Sequence, residues 1–290
     1  MLSRPELERP VLVAAFRGWN DGGQGATLAA GFLARLWSAE KFGEIEPEGF
    51  VDFQANRPHV SLDDSLTRKI EWPENSFYSS RTTGGRDVVL LLGVEPNLRW
   101  RTFCGLVIDL ARDLDVQLVV TLGSLLADVP HTRAAPVTGA ASDPQLVADL
   151  GLQHSRYEGP TGIVGVLQDA CRHAGMPAAS LWAAVPHYVS LAPSPRAARA
   201  LCDRLGALLE IPIDTAELAE AEETYAAQVT EAVASDPETA EYVAELERRT
   251  DDLDLEEHEN LPSGDTLAAE LTRFLREREA QNDDDATRDA

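Results

Sequence analysis

The polar residues that follow the first apolar stretch of the chain form a glycine-rich turn directly before an apolar helix pattern. The turn contains Asn20, Asp21, Gly22 and Gly23. Backbone N–H groups and the dipole at the start of a helix favour negative charge, so the turn predicts a binding site for a small anion. The turn lacks the Gly-Lys-Ser/Thr of a P-loop, and it also fits a tight turn in which Asn20 or Asp21 caps the helix. Both interpretations stay open here.

Polar residues that follow other predicted strands would lie at the same edge of the sheet. They are Glu95, His131, Arg133 and His187. An acid, two histidines and an arginine at one edge are suited to an acid–base pocket, although each histidine alone also fits a hydrogen-bonded loop anchor. The sequence has no nucleophile elbow, no HExxH helix and no His/Cys cluster at metal spacing. We therefore predict no metal and no cofactor, and we assign no catalytic residue.

The elements that would position these residues alternate between apolar strands and amphipathic helices through the first 214 residues. Strands rich in Val and Leu are predicted at residues 11–16, 88–92, 116–122 and 181–185. Continuous apolar runs of this length are typical of strands buried on both faces of a parallel sheet. Helical patterns between them predict a doubly wound, mostly parallel α/β sheet. Such sheets bind ligands beyond the carboxyl ends of their strands, where the polar residues above would lie.

Residues 43–86 interrupt this alternation. Apolar and aromatic residues occur there in three short stretches, which proline and asparagine turns separate. Strands are therefore predicted at residues 49–54, 68–72 and 77–82, as an antiparallel excursion from the main sheet.

Charge divides the chain into two parts. Of 290 residues, 49 are acidic and 25 are Lys or Arg, which gives a net charge of −24. Most of the excess follows residue 214, where tryptophan is absent and helical patterns with narrow apolar stripes begin. We predict an α/β domain over residues 1–214, an acidic helical extension over 215–280 and a disordered tail over 281–290.

The predicted extension contains three helices, with a loop over residues 251–264 before the third. Helices with so little apolar area need a surface to pack on, and we expect them to dock through aromatic and leucine residues. Their acidic face would suit a basic partner. A solvated helical arm without a partner is the alternative.

Composition also excludes several classes of function. A net charge of −24 repels nucleic acid and anionic lipid, so neither is an expected partner. No stretch reaches 18 apolar residues and residues 1–10 are charged, which predicts neither a membrane span nor a signal peptide, and hence a cytoplasmic protein. The three cysteines fall on apolar helix faces, as core residues do.

Five motifs, taken in chain order, resemble the proteasome assembly chaperone 2 family in its bacterial branch. They are GWNDGG at residues 18–23, GVEP at 93–96, PHTR at 130–133, YEGPTG at 157–162 and LWAAVPHY at 181–188. One such motif is weak, but five in order are specific, and the resemblance extends over roughly residues 10–278. Gly22 stands where the family more often has alanine.

The resemblance implies a fold similar to nucleoside phosphorylases and peptidyl-hydrolase-like proteins, without a known catalytic centre. Eukaryotic and archaeal members of the family act as chaperones that bind proteasome α subunits. We therefore expect a non-enzymatic protein-binding protein, whose partners are proteasome subunits or another protein. The alternative is an enzyme or binding protein for a small anionic molecule. The ATP-grasp or carboxylate-amine ligase label of some bacterial members is disfavoured, because Lys41 and Lys69 are the only lysines and neither adjoins a glycine loop.

Self-association is expected as well. Trp19, Trp72 and Trp100 fall at or near predicted loops. Large aromatic residues at such positions often mark interfaces. Since most soluble oligomers are closed and symmetric, we predict a homodimer or homotrimer formed through the α/β domain.

Overall fold

A seven-stranded sheet forms the centre of the protein. The computed structural model describes residues 4–62, 67–82, 84–141, 143–152, 157–189 and 191–259. The nine strands among them are β1 (Val11–Arg17), β2 (Glu40–Ile45), β3 (His59–Leu62), β4 (Arg68–Glu71), β5 (Asn75–Arg81), β6 (Asp87–Val94), β7 (Leu118–Ala127), β8 (Val137–Ala141) and β9 (Ala178–Pro186). The sheet has the order β2-β5-β6-β1-β7-β9-β8, and β3 pairs with β4 in a separate ribbon.

The middle of the sheet is parallel and its margins are antiparallel. The adjacent strands β6, β1, β7 and β9 are parallel, with Val11 opposite Val88 of β6 and Leu118 of β7. β5 is antiparallel to both β6 and β2, and β8 is antiparallel to β9. Five of the seven strands therefore point in one direction, which confirms the predicted mixed α/β fold with a mostly parallel sheet.

Helices cover both faces of this sheet. The helices of the described residues are α1 (Gly25–Leu36), α2 (Trp100–Asp113), α3 (Pro144–Asp149), α4 (Ile163–His173), α5 (Pro195–Leu209), α6 (Ala216–Ala234) and α7 (Pro237–Glu259). Val13 and Ala15 of β1 face the core that contains α1 and α5, whereas Leu12, Ala14 and Phe16 face the core that contains α2 and α4. Side chains of a strand alternate between faces, so one apolar run supplies both cores.

The segment between α1 and β6 contradicts one predicted strand and contains two strands, β2 and β3, that the sequence analysis does not predict. Residues 49–54 form a turn and not a strand, because the N–H groups of Phe50 and Val51 donate to the Pro47 carbonyl at 2.9 and 2.8 Å. β2 was not predicted, since its sequence EKFGEI lacks the apolar pattern of a buried strand. It lies at the edge of the sheet, where charged residues are common. The other two predicted strands of the segment are present as β4 and β5.

The chain divides into two compact units, Met1–Val243 and Ala244–Ala290. Helix α7 runs through this boundary to Glu259, so the loop predicted from residue 251 is wrong over residues 251–259. Those residues contain neither proline nor glycine, which are the usual signals for the end of a helix. The predicted third helix and the predicted tail over 281–290 lie outside the described residues. Neither α7 nor any other helix of the described residues is long and apolar enough to cross a membrane.

Helix α6 belongs to the first unit. Its buried residues are Leu218, Tyr225 and Val229, and the helix packs on α5. Helix α6 therefore docks through a leucine and an aromatic residue, as the sequence predicts. The domain boundary at residue 214, drawn from composition, stays a prediction.

Candidate functional site

Glu95 joins three segments at the carboxyl edge of the sheet. It follows β6 and accepts hydrogen bonds from the N–H of Trp19 at 3.0 Å, from Nδ2 of Asn20 at 3.2 Å and from the N–H of Ile163 at 2.8 Å. Gly162 permits this approach, because a Cβ there would lie 2.0 Å from Nδ2 of Asn20. The carboxylate therefore ties the end of β1 and the start of α4 to the end of β6.

Asp21 caps α1 from a position just outside it. Its Oδ1 accepts from the N–H groups of Ala26 at 2.9 Å and Thr27 at 3.1 Å, and Oδ2 accepts from the Thr27 hydroxyl. Burial raises the pKa of Asp21 above its usual value, against the effect of these hydrogen bonds. The helix N-terminus that was predicted to hold an anion thus has a carboxylate of the same chain as its partner. Binding of an external anion by this turn stays a prediction.

The glycines of the turn pack directly on neighbouring strands. A Cβ on Gly22 would lie 3.1 Å from the carbonyl carbon of Leu125 in β7. Gly23 has a φ of +57°, and a Cβ there would lie 3.0 Å from Cγ1 of Val185 in β9. Absence of a side chain at these two positions lets the turn lie across the ends of β7 and β9. The glycines therefore fill the crevice at the strand ends with the protein's own backbone.

His131 is a buried anchor between a loop and two other elements. Its backbone N–H donates to the Tyr188 hydroxyl at 2.8 Å, and its Nδ1 lies 2.8 Å from the same oxygen. Its Nε2 lies 3.1 Å from Oγ1 of Thr230 on α6. A histidine with partners on both ring nitrogens is suited to anchor a loop. The sequence analysis gave that role as the alternative to acid–base chemistry. The backbone carbonyl of Arg133 accepts a hydrogen bond from Arg196 of α5.

His187 lies in an aromatic cluster next to an acid. Its Nδ1 is 3.1 Å from Oδ1 of Asp128, which also accepts from the Tyr242 hydroxyl at 3.1 Å. The imidazole ring makes edge contacts with Tyr188 and Tyr242, with centroids 5.9 and 5.5 Å apart. His131 and His187 thus meet through Tyr188, so the structure brings these two predicted residues together.

The predicted residues form two groups and not one pocket. One group surrounds Glu95 and Asp21, at the ends of β6 and β1, and the other surrounds Tyr188, beyond β7 and β9. β6 and β9 are separated by two strands, which corresponds to about 14 Å across the sheet. An acid–base pair between Glu95 and either histidine is therefore not what this arrangement supports.

One residue of this edge was missed by the sequence analysis. Arg17, the last residue of β1, lines a cavity of about 310 Å³ together with Gln24, Thr27 and Gly93. A polar residue that ends an apolar strand is the signal that would have found it. The guanidinium group of Arg17 thus adjoins a concave surface at this edge.

The three cysteines lie on the buried faces of α2, α4 and α5. Burial raises the pKa of Cys104 to about 12 and that of Cys171 to about 11, and it raises the pKa of Cys202 as well. A thiol with such a pKa is a poor nucleophile near neutral pH. Within the part of the chain that the structure describes, no group of three or more His, Cys, Asp or Glu residues is arranged to hold a metal ion.

Large apolar side chains are exposed at the same edge of the sheet. They are Trp19, Leu98, Leu125, Leu126, Tyr157 and Leu191. Trp19 is 64% exposed and directly follows β1, and Leu126 is 57% exposed near the end of β7. Exposed apolar residues grouped in this way are typical of interaction surfaces. Trp100 was expected to mark an interface, but it packs against the core and its Nε1 donates to the Pro96 carbonyl.

Comparison with known families gives a match over most of the chain. A model of the PAC2 family matches residues 15–233. The chain belongs to the PAC2 family. The resemblance seen in the five motifs is thereby confirmed, and the matched part of this PAC2 chain extends to the last turn of α6.

Solved structures place the PAC2 chain among close relatives. It is 49% identical to a PAC2 family protein from Streptomyces avermitilis, with a TM-score of 0.74 over 81% of this chain and 99% of the other. It is also 49% identical to a proteasome-assembly chaperone homologue from Mycobacterium tuberculosis, with a TM-score of 0.73 over 80% and 99%. The archaeal proteasome activator PbaB from Pyrococcus furiosus is 18% identical, with a TM-score of 0.66 over 80% and 96%, and shares the fold. A search of curated proteins gives no match.

Proposed function

We propose that this PAC2 protein is a non-enzymatic chaperone that binds proteasome subunits. Membership of the family supports the proposal, together with 49% identity to a protein described as a proteasome-assembly chaperone homologue. Such a protein needs a surface that holds another polypeptide, and it needs no reactive group.

The observation that carries the proposal is a difference between the polar and the apolar side chains at the carboxyl edge of the sheet. Three polar side chains of that edge make hydrogen bonds within the chain, those of Glu95, Asp21 and His131. The apolar side chains of the same edge, such as Trp19 and Leu126, are exposed. Catalysis would use the polar groups, whereas protein binding uses exposed aromatic and aliphatic residues.

The test is binding of purified proteasome α and β subunits of the source organism to the full chain and to a variant with Trp19→Gln and Leu126→Gln. These changes remove apolar contact area and leave the net charge unchanged. Leu36→Gln is the matched control, because Leu36 is exposed at the far end of α1. We expect the double variant to lose subunit binding by about tenfold or more and the control to keep it. Absence of binding by the unmodified chain, or equal binding by the double variant, would contradict the proposal.

A second candidate function is binding of a small anionic molecule in the 310 Å³ cavity. The observation that favours it is Arg17, an exposed guanidinium at the end of β1 beside Thr27 of α1. A ligand that binds the native state raises the melting temperature, so nucleotides, nucleosides and amino acids can be compared by thermal shift. A shift that disappears in Arg17→Gln would support this candidate, and a flat screen would remove it.

A further inference from the structure

A second cavity lies at the β2 and β5 end of the sheet and shares Trp72 and Glu74 with the cavity that Arg17 lines. It has a volume of about 620 Å³ and is built mainly from the ends of β2 and β4 and the turns that follow them. Its lining residues are Glu44, Glu46, Pro47, Glu48, Phe53, Lys69, Ile70, Glu71, Trp72 and Glu74. A volume of this size falls in the range of sites that enclose a small ligand or a few side chains of a partner.

One wall of this cavity is aromatic and open to solvent. The rings of Phe53 and Trp72 have centroids 4.8 Å apart and planes inclined by 59°. Trp72 is nevertheless 52% exposed, and Ile70 beside it is exposed too. An indole that is fixed by a neighbouring ring and keeps free surface is the best aromatic partner for a cation.

The other walls are acidic. Five glutamates line the cavity, against the single cation of Lys69. The ammonium group of Lys41 adjoins it and pairs with Glu44 at 2.6 Å and Glu74 at 2.9 Å. These are the only two lysines of the chain, so five carboxylates face two ammonium groups and a net charge of about −3 is left over.

Lys41 shows how the glutamates of this cavity stabilise a positive charge. Burial by itself would lower the pKa of Lys41, but hydrogen bonds to Glu44 and Glu74 outweigh that effect and raise it. The glutamates that do not pair with Lys41 are Glu46, Glu48 and Glu71. One oxygen of Glu71 accepts from the Ser61 hydroxyl at 2.9 Å, and one oxygen of Glu46 accepts from the Glu48 N–H at 3.1 Å. The negative charge of all three carboxylates remains at the cavity.

We infer that this cavity binds a basic polypeptide segment, with an arginine or lysine side chain against Trp72 and its charge among Glu46, Glu48 and Glu71. An arginine suits the site best, because guanidinium stacks on indole and pairs with two carboxylate oxygens at once. The exposed Val60 and Leu62 of β3 would contact apolar parts of the same segment. The inference does not depend on the proposed chaperone function, since it uses none of the exposed apolar residues that would bind proteasome subunits, Trp19 and Leu126 among them.

The test uses isothermal titration of the full chain with a synthetic ten-residue peptide of alternating arginine and glycine. The same peptide with citrulline in place of arginine keeps the shape and removes the charge. We expect the arginine peptide to bind and the citrulline peptide to bind at least about tenfold more weakly, with an affinity that falls as salt is added. Equal binding of the two peptides, or no binding of the arginine peptide, would overturn the inference.

Variants then separate the cavity from general attraction to an acidic protein. Glu48→Gln with Glu71→Gln removes two charges at the cavity, and Glu40→Gln with Glu223→Gln removes two exposed charges elsewhere. We expect the first pair, and Trp72→Leu separately, to weaken peptide binding by about tenfold and the second pair to change it less than about twofold. Equal weakening by both pairs would refute a defined site, even where Trp72→Leu fails to fold. Trp19→Gln with Leu126→Gln should leave peptide binding unchanged, so failure here and failure of the chaperone proposal are distinguishable.

Discussion

At the scale of single residues, the buried carboxylate of Asp21 and the half-buried carboxylate of Glu95 hold the carboxyl edge of the sheet together. Glu95 accepts from two backbone N–H groups and one side-chain amide, and Asp21 accepts from two backbone N–H groups and two hydroxyls, those of Thr27 and Ser124. A carboxylate that loses water gains little unless its oxygens are occupied in this way. The close approach of Gly162 to Asn20 is part of the same arrangement. These contacts account for the polar residues of the edge without any ligand.

Gly162→Ala tests this arrangement. The added methyl group would lie 2.0 Å from Nδ2 of Asn20 and 2.7 Å from Oε1 of Glu95, so both groups must shift and their hydrogen bonds weaken. We expect a loss of about 1–3 kcal/mol in the free energy of unfolding, measured by chemical denaturation. Gly31→Ala is the control, because nothing lies within 4 Å of that position in α1 and alanine favours a helix. A Gly162→Ala protein as stable as the control would refute the steric argument.

Two buried aspartates should give opposite dependences of stability on pH. Burial raises the pKa of Asp21, so the folded state binds its proton more readily and gains stability as pH falls towards 3.8. A hydrogen bond from Arg81 lowers the pKa of Asp87, so its contribution is present above pH 3.8 and is lost as pH falls through the folded value. The stability of the unmodified chain minus that of Asp21→Asn should therefore fall with rising pH. The corresponding difference for Asp87→Asn should rise, and slopes of the same sign would contradict the assignment.

At the scale of secondary structure, the parallel centre of the sheet and β5 beside it could be predicted, whereas the outermost strands β2 and β8 could not. β1, β6, β7 and β9 are buried on both faces, so their sequences are continuous apolar runs. β2 and β8 lie at the edges and contain polar residues or glycine, so their sequences carry no such signal. The position of an edge strand depends on its pairing with a neighbouring strand that is distant in the sequence, so a local sequence pattern does not predict it.

The candidate site shows the same limit. Asn20, Asp21 and Glu95 could be singled out because they are polar residues that follow apolar strands. Their roles could not be read from spacing, because the hydrogen-bond partner Ile163 is 68 residues away from Glu95. Likewise, the contact of His131 with Thr230 of α6 spans 99 residues and depends on how that helix packs.

The packing of α6 gives a prediction for that helix. Glu222 pairs with Nε of Arg196 at 3.0 Å and with a terminal guanidinium nitrogen of Arg199 at 3.0 Å, on the side of α6 that faces α5. Glu222→Gln removes the carboxylate that pairs with Arg196 and leaves Arg199 with Asp203 at 3.7 Å, and we expect a loss of about 2 kcal/mol, measured by chemical denaturation. Glu223→Gln makes the same charge change at an exposed position of the same helix and should cost nothing. Equal stability of the two variants would show that the ion pairs do not hold α6.

At the scale of the whole molecule, net charge and exposed apolar surface have opposite effects on self-association. A net charge of −24 makes two copies of the chain repel each other. Exposed residues such as Trp19, Leu126 and Trp72 favour association, because their burial removes apolar surface from water. The balance between the two effects therefore depends on ionic strength, since salt screens the repulsion and leaves apolar burial intact.

We expect the purified chain to form a dimer or trimer whose population rises as salt is added. Light scattering at micromolar concentration should give a mass two or three times 31.5 kDa, and the monomer fraction should be larger at low salt than at physiological salt. Trp19→Gln with Leu126→Gln shows whether the apolar edge is the surface involved, because these changes keep the charge and remove apolar area. A mass near 31.5 kDa at every salt concentration would refute self-association. An oligomer that dissociates as salt is added would instead require an interface of ion pairs, because screening weakens attraction between opposite charges as much as it weakens repulsion between like ones.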